Sequence, residues 1–170
     1  NSRWSWLPDN KDTSQMLNLS NSQIFQITYC GVLLLINIIS SAGFNRFIDL
    51  SFLKNDKGLE QELSKIKDKK IIFTNGSRAH AENVTKRIGI NRLFDGIFDI
   101  VDSDFIPKPA IETYKRLIDK YKIEPQYCIF IEDIARNLKP AHELGMKTVW
   151  IKNDEPWAAK YSNENFIDYK

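Results

Sequence analysis

From residue 49 onward the apolar positions repeat with a regular period. Leu59, Leu63 and Ile66 recur at i, i+4 and i+7, the spacing of one helical face. Residues 71–74 are a short β-rich run. Ser77 is placed to cap a helix whose apolar face is Ala81, Val84 and Ile88, and Gly89 is placed to end it. Residues 97–101 read as a strand. Pro109 opens a helix carrying Ile111, Tyr114, Leu117, Ile118 and Tyr121 on one side. Residues 128–131 form a fully apolar strand, followed by a helix with Leu138, Ala141 and Leu144 that Gly145 stops. Residues 148–151 are the last strand. Strands alternating with helices of this length predict βα units: an α/β fold with a parallel sheet and helices on both faces. In such sheets ligands bind beyond the carboxyl ends of the strands.

The chain upstream has a different character. Between Asp12 and Arg46 there is not one charged side chain, and residues 24–42 are mostly apolar. This segment has the length of a bilayer span, for which roughly 20 residues are needed. Gln26, Thr28, Asn37, Ser40 and Ser41 interrupt it, and no Lys/Arg cluster orients it, which argues against a membrane helix. It also lacks the basic start of a signal peptide. A buried helix or strand pair, a membrane helix, and a segment foreign to the ancestral domain all remain open. The division expected is therefore residues 1–46 as a divergent apolar segment and residues 47–170 as the core domain.

Composition narrows the function class. An apolar content of 42% suffices for one packed core, and a formal charge of +2 leaves no basic footprint for nucleic acid. The basic run at residues 65–70 is broken by Asp68 and reads as a solvated helix end. Cys30 and Cys128 give neither a disulfide framework nor metal-ligand spacing, and Cys128 reads as a small core residue. The sequons at Asn18 and Asn83 stand without other signs of secretion, so a reducing, cytoplasmic setting is expected.

Three strand ends deliver polar groups. Thr74, followed by Asn75-Gly76-Ser77 and a helix start, offers a hydroxyl and backbone N–H groups to an anion, and Gly76 permits close approach. Lys108 lies between Pro107 and Pro109, which stiffen its loop. Glu132 and Asp133 end an apolar strand as adjacent carboxylates that call for a cation, and oxygen ligands of this kind suit Mg²⁺. Asn137, one helical turn on, is placed to orient Asp133 or a metal-bound water. Each of these alone has an ordinary explanation: a capped turn, a solvated lysine, acids at a helix start. Their succession is far more specific.

Hydroxyl, lysine and carboxylate pair in that order, each at a strand end, resemble the haloacid dehalogenase superfamily of hydrolases. Thr74 matches its second motif, Lys108 its third and Glu132-Asp133 its fourth. Phe73-Thr74-Asn75-Gly76-Ser77-Arg78-Ala79-His80-Ala81, Phe94-Asp95-Gly96-Ile97-Phe98-Asp99 and Glu132-Asp133-Ile134-Ala135-Arg136-Asn137-Leu138 look like its pyrimidine 5′-nucleotidases. The resemblance implies a Rossmann-like core, Mg²⁺ and a small-molecule phosphate ester such as a nucleoside monophosphate. It implies that Thr74, Asn75, Gly76 and Lys108 hold the phosphate and that Thr74 and Lys108 serve catalysis. Asp133 and Glu132 would hold the metal. His80 would line the site or sit on the helix surface.

One part of the family's pattern is not found. The first motif is an apolar strand ending in Asp-x-Asp-x-Thr, whose first Asp is the nucleophile. Asp9-Asn10-Lys11-Asp12-Thr13 has the wrong spacing and follows Pro8. Phe47-Ile48-Asp49-Leu50-Ser51 has a serine where the acid belongs. The expectation is a core truncated at its N-terminus, with impaired hydrolysis. The alternatives are a non-catalytic phosphate-binding remnant and a membrane-tethered protein that is not an enzyme.

Overall fold

The computed structural model describes residues 29–30, 50–51, 53–152 and 155–170. Among the described residues five strands and five α-helices follow in order: β1 (Tyr29–Cys30), α1 (Lys57–Lys65), β2 (Ile71–Phe73), α2 (Arg78–Ile88), β3 (Gly96–Phe98), α3 (Ile111–Tyr121), β4 (Cys128–Glu132), α4 (Leu138–Glu143), β5 (Lys147–Trp150) and α5 (Pro156–Ala159). The fold is the expected α/β arrangement, with β2 parallel to β3 and β4 parallel to β5.

The hydrogen-bonded ladders form two groups, β2-β3 and β1-β4-β5, rather than one sheet. Side-chain alternation nevertheless makes them one layer. Ile72 of β2, Ile129 and Ile131 of β4 and Val149 of β5 enter one core with Leu59, Leu63, Ala81, Val84 and Ile88 of α1 and α2. Ile71 and Phe73 of β2, Phe98 of β3, Phe130 of β4 and Trp150 of β5 enter the other with Tyr114, Leu117, Leu138 and Ala141 of α3 and α4. The period-2 alternation of strands thus places helices on both faces. Within the second core Phe73 meets Phe98, Tyr114 and Phe130 edge-on or tilted at centroid distances of 5.4, 5.1 and 6.1 Å. Each such aromatic pair adds about 0.5–1.5 kcal/mol beyond burial.

Helix ends follow the local chemistry. Asp56 caps α1 by accepting from the Leu59 N–H at 2.9 Å, and Ser77 caps α2. Gly89 ends α2 in the left-handed region, at φ 88°. Of the boundaries that differ from the sequence reading, two have a local cause. β3 stops at Phe98 because Asp99 and Asp102 bond each other's backbone N–H groups through their carboxylates, which turns the chain. α3 starts at Ile111, since residues 107–110 form a turn closed by Ala110 N–H donating to the Pro107 carbonyl at 3.0 Å.

β1 lies antiparallel on β4, with Cys30 opposite Cys128. Cys128 lies in the core as expected, but it is disulfide-bonded, although the sequence offers no disulfide framework. The rest of residues 1–49, including the apolar run at 24–42, lies outside the described residues. Among the described residues no helix is long and apolar enough to cross a membrane.

The outer strand β3 carries its own cover. The Ile97 carbonyl accepts from Arg78 Nη2 at 2.7 Å and from the Tyr121 hydroxyl at 3.1 Å. Tyr121 reaches it across Gly96, where a Cβ would come within 2.7 Å of its hydroxyl.

Candidate active site

The loop after β2 begins with Thr74, whose N–H donates to the Phe98 carbonyl of β3 at 2.9 Å. Its hydroxyl Oγ1 accepts from the Gly76 N–H at 2.9 Å, which curls the loop into the start of α2. At that start, Arg78 N–H donates to Asp99 Oδ2 at 2.9 Å and His80 N–H to the Ser77 hydroxyl at 3.3 Å. The helix start is therefore partly satisfied from within the protein.

Asn75 ties this loop to the lysine loop. Its side-chain Nδ2 donates to the Lys108 carbonyl at 3.2 Å, and its Oδ1 accepts from the Lys108 N–H at 2.8 Å. This two-sided clamp is a role the sequence reading missed: it quoted Asn75 only for its place in the phosphate loop. Replacing Asn75 with alanine should cost about 1–3 kcal/mol, because it strips partners from buried backbone groups. Asn75→Asp, which keeps only the acceptor, should fall between the two. Urea-denaturation midpoints of the three chains decide this.

Lys108 spans the ends of two strands. Its ammonium donates to the Phe73 carbonyl of β2 at 3.1 Å and to Glu132 Oε2 of β4 at 2.9 Å. The Lys108 and Glu132 side chains are fully buried, and the ammonium lies 4.8 Å from the Phe73 ring centroid. Glu132 Oε1 accepts from Asn137 Nδ2 at 2.9 Å and from the Ile134 N–H at 3.3 Å. Asn137 is fixed in turn, its carbonyl accepting from the Tyr114 hydroxyl at 2.6 Å. Burial, reinforced by the nearby Glu132 carboxylate, raises the Tyr114 phenol well above its ordinary range, so it stays a donor. Asp133 follows β4, and its carbonyl accepts from Trp150 Nε1 at 2.8 Å.

The contacts of Lys108 therefore reach the neighbours of Thr74 on one side and of Asp133 on the other. Thr74, Lys108, Glu132 and Asp133 are at most 5% exposed. Asn137, placed by the sequence to orient Asp133 or a metal-bound water, donates to Glu132, and its Oδ1 has no partner among the described residues.

Magnesium was expected on Glu132 and Asp133. Both Glu132 oxygens serve protein donors. Among the described residues no group of three His, Cys, Asp or Glu side chains could hold a metal ion. These residues alone do not complete such a site.

His80 is buried rather than on the helix surface, and its Nε2 has no partner among the described residues. Burial holds its pKa below 6.5. A base depressed in the folded state binds its proton more readily when unfolded, so its contribution is full above pH 6.5 and is lost as pH falls below that. Stability should decline through this window, and His80→Leu should flatten the decline in denaturation curves taken across it. Asp168 acts lower. Burial works to raise it, but hydrogen bonds from Thr148 and Lys147 hold its carboxyl below 3.8, so its contribution is lost only in stronger acid.

Known proteins share parts of this arrangement. The chain is 35% identical over 48 residues to bifunctional epoxide hydrolase 2 of Sus scrofa, covering 28% of this chain and 9% of that protein. It is 33% identical over 144 residues to phosphate metabolism protein 8 of Saccharomyces cerevisiae, covering 73% of this chain and 43% of that protein. It thus spans less than half the length of either relative. Its fold is similar to that of L-2-haloacid dehalogenase from Xanthobacter autotrophicus, with a TM-score of 0.51 and 17% identity, over 64% of this chain and 45% of that one. The haloacid dehalogenase-like hydrolase family matches residues 41–145, from ahead of the Thr74 loop to the end of the helix behind Asp133. Since that stretch is more than half of the chain and holds all three motif loops, this protein belongs to the haloacid dehalogenase-like hydrolases.

Proposed function

We propose that residues 47–170 are the core of a phosphate-monoester hydrolase of the nucleotidase type, and that the described residues form its phosphate-binding part. The observation that carries this reading is the buried Lys108–Glu132 pair between the ends of β2 and β4. Desolvating two charges costs several kcal/mol per ion, and apolar residues of similar size often serve stability as well or better. A buried pair at the carboxyl ends of parallel strands is best explained by a task at that edge.

In this reading Thr74, the Asn75 and Gly76 amides and Lys108 take the phosphate. Glu132 fixes the ammonium, and Asn137 and Tyr114 fix Glu132. Asp133 would hold magnesium, which would supply charge neutralisation when bound. In the family's reaction the first Asp of Asp-x-Asp-x-Thr would attack phosphorus as the ester P–O bond breaks, the leaving alkoxide would take a proton from the second Asp, and water would then cleave the acyl phosphate, releasing phosphate and restoring the carboxylate. Lys108 offsets the charge gathered there. The branch wording of the motifs supports a nucleoside monophosphate as substrate. A second reading, a phosphate-binding protein without turnover, is favoured by one observation: both Glu132 oxygens are engaged by protein donors.

The test common to both readings is binding of inorganic phosphate to the full chain by calorimetry. Binding that weakens about tenfold or more in Thr74→Val fits the loss of a hydrogen bond to a charged group. No binding, or binding indifferent to Thr74, would overturn the site assignment.

A further inference from the structure

The segment that joins β3 to the lysine loop presents an aromatic ring to water. Phe105 is 70% exposed, and Val101 beside it in the same loop is 59% exposed. Asp104 and Phe105 both have φ of 60°, a left-handed conformation that is exceptional for a bulky residue. The loop is held rather than slack. Phe105 N–H donates to the Ile100 carbonyl at 2.8 Å, Ser103 N–H to the Asp99 carbonyl at 3.1 Å, and Ile106 N–H to the Ser103 carbonyl at 3.2 Å. It is also fastened to the phosphate loop at both ends. Ile100 N–H donates to the Gly76 carbonyl at 3.2 Å, and Lys108 is clamped by Asn75. Phe105 is three residues from Lys108, so their Cα atoms are at most about 11 Å apart.

Backbone outliers that the surroundings over-determine concentrate where a side chain must be aimed. Here strain and hydrogen bonds are spent on keeping a ring out of the core, beside the place where phosphate is proposed to bind. We propose that Phe105 is a specificity-determining residue: its ring stacks on the planar base of a nucleoside monophosphate whose phosphate is held by Thr74 and Lys108. This deepens the reading given above and rests on it. The face of an aromatic ring suits any base and carries no hydrogen-bond code, so the preference is for an aromatic leaving group over an aliphatic one rather than for one base.

The experiment titrates the full chain with inorganic phosphate, ribose 5-phosphate and UMP. UMP should bind more tightly than ribose 5-phosphate by about tenfold, the scale of one base–aromatic stack. Phe105→Ala should erase that advantage and leave phosphate and ribose 5-phosphate unchanged, while Phe105→Tyr should keep it. Because the ring is exposed, thermal unfolding of both variants should match the parent. An advantage that survives in Phe105→Ala overturns the proposal. So does equal weakening of all three ligands, or a lowered melting temperature, either of which would mark the ring as a packing element. If phosphate binds and UMP gains nothing over ribose 5-phosphate, the stacking role alone falls. If phosphate itself does not bind, the site reading fails and this inference with it.

Discussion

The chain as it stands is expected to show little or no hydrolysis of p-nitrophenyl phosphate or UMP with Mg²⁺. The same chain given an apolar strand ending in Asp-x-Asp-x-Thr, running parallel to β4 rather than antiparallel to it as Tyr29–Cys30 does, should turn them over. In the proposed reading the described residues supply anion contacts and charge compensation, but the covalent step needs a carboxylate opposite the phosphorus. Loss of a nucleophile from an otherwise intact site costs on the order of 10⁴–10⁶ in rate, so the contrast should be unmistakable in a colorimetric assay. Strong turnover by the unaltered chain, abolished by Asp9→Asn or Asp49→Asn, would show that one of those carboxylates is the nucleophile.

Removing the ammonium of Lys108 should have the largest effect on stability. Lys108→Ala leaves Glu132 ionised and buried without its cation, a loss of about 3–5 kcal/mol for a broken buried pair. Pairing the change with Glu132→Gln removes the stranded charge and retains an acceptor for Asn137, so much of that stability should return. Phosphate affinity should return in neither variant. The two readouts separate a structural ion pair from a ligand-binding cation. A double variant that binds phosphate as the parent does would assign Lys108 to the fold alone.

The helices and strands of residues 57–150 were legible because burial and periodicity coincide there. Leu59 and Leu63, Val84 and Ile88, and Tyr114 and Leu117 repeat on one helical face and are all buried. The strand ends were legible for a similar reason, since a polar residue closing an apolar run has few places to go. What could not be read is how polar groups share one another. Glu132 looks the same in sequence whether it faces a cation or a lysine, and only the geometry shows its two oxygens divided between Lys108 on one side and Asn137 with Ile134 on the other. The Asn75 clamp joins positions 33 residues apart and leaves no local trace. Phe105 was passed over because a lone aromatic in a loop has no period; its positive φ is a property of the backbone. The tail at Asp168 and Tyr169, which adds a bridge to Val149 of β5, was passed over likewise, because it has too little pattern to register.

The cover on β3 bears on how this protein behaves in company. An outer strand is a template on which a foreign strand can assemble, and natural proteins blunt such edges with charge or with side chains laid across them. At Ile97 the acceptor that would start the ladder is already taken twice, by a guanidinium and a phenol. Gly96 is what lets Tyr121 lie close enough to do this. Its value would therefore be colloidal as well as conformational: a side chain at Gly96 would displace Tyr121 and reopen this border to pairing with a neighbouring copy.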